Sequence, residues 1–257
     1  MINLDNFLLQ LNSFKKSKPF NHCVIDNFLP EILAEQLETE FPSYEYHKWL
    51  CYKNPLEDKK AIESWLEFPP FTYKLFYYLN SAKFVKLLSN KLNVELYPDT
   101  GLHGGGWHCY SDGGNLNPHL DYSIHPKLGL QRKLNLILYV SKHMKPEHGG
   151  YLGLWSHDLI TNQPLRVETE IEPVFNRAVL FDTTQNSWHG FSRPLTPPVG
   201  VYRKSLAIYY LCDPPLNVDN RGRALFAPRE YQKSDQNIIE LIKLRSGIDT
   251  SKLVYKT

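Results

Sequence analysis

The chain has 257 residues, a net charge of +2, 42% hydrophobic residues and 22% charged residues. This composition is ordinary for one globular domain, and the small charge argues against binding to nucleic acid or to an anionic membrane. The four cysteines are scattered without a C-x-x-C pair, which argues against a zinc knuckle or a dithiol redox pair.

The cysteines are interpreted as reduced thiols because a chain of this length does not need a disulfide framework. No apolar run approaches the roughly 18 residues of a membrane span, and the first residues lack the pattern of a signal peptide. We therefore expect a cytoplasmic protein with no membrane partner.

Residues 1–98 are predicted to form a mixed helical and strand region that supports the rest of the domain. Pro30 to Leu37 begins with Pro and Glu and has helical apolar spacing, and Phe71 to Leu92 is predicted as a second helical stretch. This region could form a lid or a docking surface. No motif in it indicates a ligand, so the sequence does not decide between these roles.

Residues 99–212 consist of short β-like runs separated by Gly, Pro and Asn. The predicted strands are Trp107–Ser111, Pro118–Ser123, Leu134–Ser141, Tyr151–Trp155, Leu165–Ile171, Ala178–Thr184 and Tyr202–Cys212. Many short strands favour a sandwich or jelly roll, and the absence of βαβ alternation argues against a Rossmann or TIM architecture. Residues 213–257 are predicted to be a C-terminal tail with one helix, Asn237–Arg245, within a single domain of residues 1–257.

Metal-ligating residue types occur at two places in this β region. His119 and Asp121 are two residues apart, so in a strand both side chains point to one face, where they would form two-thirds of a facial triad for Fe(II). His189 follows an apolar β run and could reach into the mouth of a barrel. The alternatives are a surface His–Asp pair and a structural histidine.

A strand near the end of the β region carries an arginine that needs a partner. Arg203 and Ser205 share a face of the predicted strand from Tyr202 to Leu211. A buried guanidinium costs several kcal/mol without a partner, and a bound dicarboxylate would supply one. Alternatively, Arg203 faces solvent while Lys204 faces inward, or Arg203 pairs with an acidic residue of the protein.

Taken together, the order and spacing of these residues resemble the 2-oxoglutarate/Fe(II)-dependent oxygenases, in their prolyl 4-hydroxylase-like branch. Tyr110, Gly113, Gly114, Leu116, His119 and Asp121 look like that branch's conserved run, and Gly149 to Leu154 looks like its next turn and strand. The resemblance covers about residues 100–212.

The resemblance implies a mainly β (α+β) fold, namely a double-stranded β-helix of the jelly-roll, cupin-like type with flanking helices. It implies that His119, Asp121 and His189 are the catalytic metal ligands and that the cofactors are Fe(II), 2-oxoglutarate and O2. 2-Oxoglutarate would chelate the metal through its keto oxygen and C1 carboxylate. Its C5 carboxylate would pair with Arg203, helped by Ser205 and Tyr110, and Asn135 is a further candidate for contact with 2-oxoglutarate or substrate.

The resemblance also implies the reaction. The chain is predicted to hydroxylate an unactivated C–H bond of a peptide or protein prolyl residue or of a small metabolite, releasing succinate and CO2. Asp121 favours hydroxylation over halogenation, because related halogenases have a small residue in its place. Desaturation or demethylation by the same chemistry, and a catalytically silent jelly-roll binding module, are the alternatives.

The sequence differs from some members of this family in the residue expected to bind 2-oxoglutarate. Collagen-type prolyl hydroxylases use a lysine for the C5 carboxylate, and Lys204 is adjacent to Arg203, but strand parity with Ser205 favours Arg203. The sequence does not indicate which substrate is used or how many subunits assemble.

Overall fold

Two antiparallel sheets face each other in the computed structural model, which describes residues 1–254. This part of the chain contains fourteen strands, β1 (His22–Ile25), β2 (Leu50–Asn54), β3 (Glu57–Ile62), β4 (Tyr97–Pro98), β5 (Gly106–Tyr110), β6 (Asn115–Leu116), β7 (His119–Leu120), β8 (Gln131–Tyr139), β9 (Leu152–Asp158), β10 (Gln163–Ile171), β11 (Ala178–Asp182), β12 (His189–Phe191), β13 (Arg203–Cys212) and β14 (Leu225–Phe226). Its helices are α1 (Leu4–Gln10), α2 (Glu31–Thr39), α3 (Pro70–Leu79), α4 (Ala82–Leu92), α5 (Gln236–Ser246) and α6 (Ser251–Val254).

The larger sheet has the order β1-β11-β8-β13-β5-β3-β2, with β4 added to β13 and β6 to β3. The smaller sheet has the order β10-β9-β12-β7-β14. The predicted jelly-roll fold is therefore confirmed. Strands from both sides of residues 99–212 join the sheets, since β1, β2, β3 and β4 precede that range and β14 follows it.

Side-chain alternation gives the larger sheet two different faces. Leu134, Leu136 and Leu138 of β8 and Leu206 and Ile208 of β13 pack in the large apolar core beneath the N-terminal helices. The alternate residues of the same strands face the smaller sheet, where Tyr139, Val179, Phe181, Leu152 and Leu154 form a second core. Part of the interior of the barrel is thus filled by apolar side chains, and polar side chains line the remaining cavity.

The predicted helical stretch from Phe71 to Leu92 is wrong as one element, because it is two helices. Helix α3 ends before Asn80, and Ser81 caps the start of α4 by accepting a hydrogen bond from the backbone N–H of Phe84 at 3.3 Å. Helices α2 and α5 lie where the sequence indicated helices, within two residues at each end. No helix among the described residues is both long and apolar enough to cross a bilayer.

The predicted strand Pro118–Ser123 is shorter than expected. Only His119 and Leu120 are in β7, so Asp121 lies just beyond the end of the strand. The chain turns away there because the backbone N–H of Ser123 donates to the carbonyl of Arg221 in the C-terminal segment rather than to a neighbouring strand. Asp121 therefore reaches the interior from a strand end and not from a regular ladder.

Candidate active site

Two histidines lie directly opposite each other on adjacent strands of the smaller sheet. His119 of β7 pairs in register with His189 of β12, and their ring centroids are 4.2 Å apart. The Nδ1 atom of His119 donates to the carbonyl of Asn117 at 3.0 Å, and that of His189 donates to the carbonyl of Ser187 at 2.8 Å. Since a carbonyl can only accept, each ring carries its proton on Nδ1 and presents the lone pair of Nε2 to the interior.

Asp121 completes a cluster with these rings. Its Oδ1 lies 3.8 Å from His119 Nε2, and its Oδ2 lies 3.9 Å from His189 Nε2. The three ligand atoms lie within 4.8 Å of one another, and all three residues are buried. These separations suit three donors around one ion rather than hydrogen bonds to each other.

The electrostatics keep the cluster in the protonation state that a metal needs. Burial, and then the neighbouring His189, lower the pKa of His119 to about 3. Burial also lowers the pKa of His189. For Asp121, burial acts to raise the pKa, but the charge of Arg132 and the two histidines lower it to about 2. Near neutral pH the site therefore holds two neutral imidazoles and one carboxylate.

Two side chains orient the Asp121 carboxylate. Arg132 Nη1 is 3.3 Å from Oδ1, and Asn135 Nδ2 donates to Oδ2 at 3.4 Å. The guanidinium of Arg132 is stacked between two aromatic rings, with its Cζ 3.4 Å from the centroid of Tyr122 and 3.3 Å from that of Tyr209. Asn135, the further candidate for contact with 2-oxoglutarate or substrate, bonds Asp121 and lines the cavity.

The donor set fits a divalent metal ion. Two imidazole nitrogens and one carboxylate on one side of an octahedral ion are characteristic of non-haem Fe(II) sites, and they leave three positions open. The backbone carbonyls that hold both Nδ1 atoms are the outer contacts typical of metal-binding histidines. The residues brought together are the three that the sequence motif indicated.

Arg203 is buried, lines the same cavity as the three-residue cluster and has no acidic partner among residues 1–254. Its Nε donates to the carbonyl of Gly150 at 2.8 Å, and its Nη2 donates to the hydroxyl of Tyr139 at 3.4 Å. Its Cζ lies 4.5 Å from the ring centroid of Phe191 and 5.4 Å from that of Tyr110. No carboxylate of residues 1–254 forms an ion pair with Arg203, so an anion can bind to its guanidinium here.

The remaining predicted residues lie around Arg203. Tyr110 pairs with Arg203 in register across β5 and β13, and Ser205 is the next inward residue of β13. Both line the cavity. Lys204 lies on the opposite face, where its Nζ bonds Glu38 at 2.9 Å, so it does not enter the cavity.

The cavity has a volume of about 350 Å³. Its inner wall is formed by the three-residue cluster and Arg203. Its outer wall contains side chains that the sequence motifs did not indicate, namely Tyr52, Glu57, Lys59 and Glu63 from the β2–β3 hairpin, His103 before β5, and Arg223 and Arg245 from the C-terminal segment. His108 of β5 also lines it.

Comparison with known proteins agrees with the motif. Residues 105–211 match the family described as the 2OG-Fe(II) oxygenase superfamily. No curated protein sequence matches the chain. The resemblance drawn from the sequence is confirmed over this range, which contains the metal cluster and Arg203 but not the hairpin or the C-terminal part of the outer wall.

Solved structures show the same fold at low sequence identity. A prolyl-4-hydroxylase from Pseudomonas putida is 18% identical with a TM-score of 0.54, over 80% of this chain and 98% of the other. A Trichoplax adhaerens prolyl hydroxylase, in complex with a hypoxia inducible factor peptide, is 16% identical with a TM-score of 0.52, over 80% and 88%. HygX from Streptomyces hygroscopicus, with nickel and 2-oxoglutarate bound, is 15% identical with a TM-score of 0.53, over 79% and 86%.

Proposed function

We propose, on the premise that residues 105–211 form a 2-oxoglutarate/Fe(II) oxygenase core, that this protein hydroxylates an unactivated C–H bond of a small metabolite or of a peptide, prolyl residues included. The observation that carries the proposal is the buried cluster of His119, Asp121 and His189 facing the unpaired charge of Arg203 across one cavity. A protein that only bound a ligand would not need both features.

His119, Asp121 and His189 would hold Fe(II), and Arg203, Ser205 and Tyr110 would hold the C5 carboxylate of 2-oxoglutarate. Bound Fe(II) supplies activation of O2, coupled to oxidative decarboxylation of 2-oxoglutarate to succinate and CO2. The HygX structure contains a metal and 2-oxoglutarate together, which supports this pairing of groups.

The protein's own residues have three tasks in this scheme. The carbonyls of Asn117 and Ser187 fix both imidazole rings so that Nε2 points to the metal position. Arg132 and Asn135 hold the Asp121 carboxylate. Burial of the cluster limits access of bulk water to the reacting groups, which favours reaction with the substrate over side reactions.

Hydroxylation is favoured over halogenation because Asp121 occupies the ligand position that a halide would need. We expect that incubation with 2-oxoglutarate, Fe(II) and a panel of amino acids, peptides and sugars under oxygen-18 gas gives a product containing labelled oxygen. The same panel with excess chloride should give no chlorinated product. Iron-loaded protein that forms neither a product nor succinate would instead support a silent binding module.

A cytoplasmic location is also proposed. It rests on the four free cysteines, three of which are buried.

A further inference from the structure

The residues that line the cavity carry more positive than negative charge. The cationic side chains lining the cavity are Lys59, Arg132, Arg203, Arg223 and Arg245, and the acidic ones are Glu57, Glu63 and Asp121. A divalent metal and the two carboxylates of 2-oxoglutarate would neutralise each other, so their binding leaves this excess in place.

Lys59 is one of the cations that line the cavity. On β3, Lys60 pairs with Cys109 of β5, so the preceding residue, Lys59, lies beside Tyr110 of β5. Tyr110 pairs with Arg203 of β13, and Lys59, Tyr110 and Arg203 therefore form a row across three neighbouring strands. The Lys59 side chain is only 17% exposed. The same cavity is lined by His119, Asp121 and His189.

The ammonium of Lys59 is incompletely satisfied by residues 1–254. It makes no hydrogen bond with them, and its ion pair with Glu57 Oε2 is 3.5 Å long, beyond the 2.7–2.9 Å or so of a charge-assisted hydrogen bond. Glu57 is shared, because Arg245 Nε bonds its Oε1 at 3.0 Å. Lys59 Nζ also lies 5.0 Å from the ring centroid of Tyr52. The ammonium has three donors and forms no hydrogen bond with residues 1–254, so it can donate to a ligand in the cavity.

Arg223 provides a second cation in the cavity lining. It lies between Gly222 and Ala224 in the segment that leads into β14, and all three residues line the cavity. It forms no hydrogen bond or ion pair with the described residues. Its guanidinium fork has the shape that binds a carboxylate through two parallel hydrogen bonds.

We propose that Lys59 and Arg223 bind a carboxylate of the substrate, so that the compound oxidised is a small organic acid. This inference rests on the proposed oxygenase function and adds the substrate class. The volume of about 350 Å³ is near the low end of ligand pockets, and 2-oxoglutarate takes part of it, so a small molecule fits better than a folded partner.

The test uses protein loaded with Mn(II) and saturating 2-oxoglutarate, so that Arg203 is already occupied. Sulfate, acetate and the neutral acetamide are titrated at constant ionic strength while thermal unfolding is followed. We expect saturable stabilisation by the two anions and none by acetamide, because only a ligand that binds the folded state raises its stability. Absence of a saturable anion effect in the wild-type protein would overturn the proposal.

Single substitutions identify the side chains that bind the anion. Lys59→Met and Arg223→Gln should each weaken anion binding at least about tenfold, since removing one partner of a desolvated ion pair is costly. Lys59→Arg should retain binding, and Lys53→Met, an exposed lysine of the same hairpin, should behave as wild type. Unchanged anion binding in both Lys59→Met and Arg223→Gln would contradict the proposal.

Two further measurements separate this inference from the function on which it rests. The electron paramagnetic resonance of Mn(II) and the dissociation constant of 2-oxoglutarate are measured on every sample. Failure of the wild-type protein to bind Mn(II) would count against the oxygenase function alone. If Lys59→Met weakened 2-oxoglutarate binding as strongly as Arg203→Ala does, Lys59 would belong to the cosubstrate site and the assignment would be wrong.

Substrate pairs then test the chemistry in turnover. N-acetyl amino acids are compared with their carboxamides, and peptides with internal Asp or Glu form a third arm that distinguishes a side-chain carboxylate from a small acid. Free acids should stimulate succinate formation more than the matched carboxamides do. Equal or greater stimulation by the carboxamides, or by the peptides, would contradict a small-acid substrate.

Discussion

Arg132 and Asp121 form a buried ion pair, with Nη1 of the guanidinium 3.3 Å from Oδ1 of the carboxylate. The arginine is itself fixed, because Nη2 donates to the carbonyl of His103 at 2.6 Å and two tyrosine rings enclose the guanidinium plane. The carboxylate thus has a defined orientation before any metal binds. Groups that orient a metal ligand in this way contribute to metal affinity.

Replacement of Arg132 by Met should therefore weaken metal binding while keeping the apolar contact with both rings. We expect a loss of about 10- to 100-fold in the affinity for Co(II) or Mn(II), measured by spectroscopic titration. Arg132→Lys should be intermediate, because it keeps the charge but loses the planar stacking. Arg193→Met is the matched control, since Arg193 also stacks on a tyrosine and pairs with Glu170 but is half exposed and outside the cavity. An unchanged affinity in Arg132→Met would show that the ion pair does not orient the ligand.

Arg203→Ala should raise the apparent KM for 2-oxoglutarate strongly. Loss of one partner of a desolvated guanidinium–carboxylate pair typically costs about 2–5 kcal/mol. Arg203→Lys should lie between, because the charge remains but the fork is lost. Lys204→Ala is the control, because Lys204 bonds Glu38 on the opposite face of the sheet. A large effect of Lys204→Ala with none in Arg203→Ala would place the cosubstrate elsewhere.

Gly190→Ala should disturb both histidines through the backbone. A Cβ at this position would lie 2.6 Å from the carbonyl oxygen of Asn117, the same oxygen that accepts from His119 Nδ1. The strands must separate to admit it, at a cost of about 1–3 kcal/mol for such overpacking. We expect a lower midpoint of urea unfolding together with weaker Mn(II) binding.

The control for this substitution is Gly101→Ala, where the nearest atom would lie at an ordinary 3.5 Å. Binding of Mn(II) by Gly190→Ala as tight as in the wild-type protein would contradict this effect of the backbone on the two histidines.

The central part of the site could be predicted from the sequence because its residues lie in or beside regular strands. Alternation along β13 places Arg203 and Ser205 on the inner face, and the spacing of His119, Asp121 and His189 is specific enough to identify the cluster. Arg132 could not be found this way. Strict alternation along β8 would place the Arg132 side chain on the same face as Leu134, in the apolar core. The pairing of β8 with β13 is irregular between Tyr210 and Leu211, however, and the Arg132 side chain lines the cavity.

The outer wall was not predictable for a different reason. The stretch from Glu57 to Lys60 reads as an exposed polar segment, and it becomes part of the cavity only because β3 pairs with β5. Arg223 lies in an irregular segment without periodicity. These positions depend on long-range contacts, for which the local sequence carries no signal. They also lie outside the range matched by the family, where features specific to this protein are expected.

The metal centre is tested most directly by comparing wild type with Asp121→Ala after anaerobic loading with Fe(II). Bound iron is measured first, and succinate formation is then followed after addition of 2-oxoglutarate and O2. The wild-type protein should bind one iron per chain and release succinate, and Asp121→Ala should lose both while keeping the circular dichroism spectrum of the folded protein. Wild-type-like succinate formation by Asp121→Ala would contradict the assignment of His119, Asp121 and His189 as the metal centre.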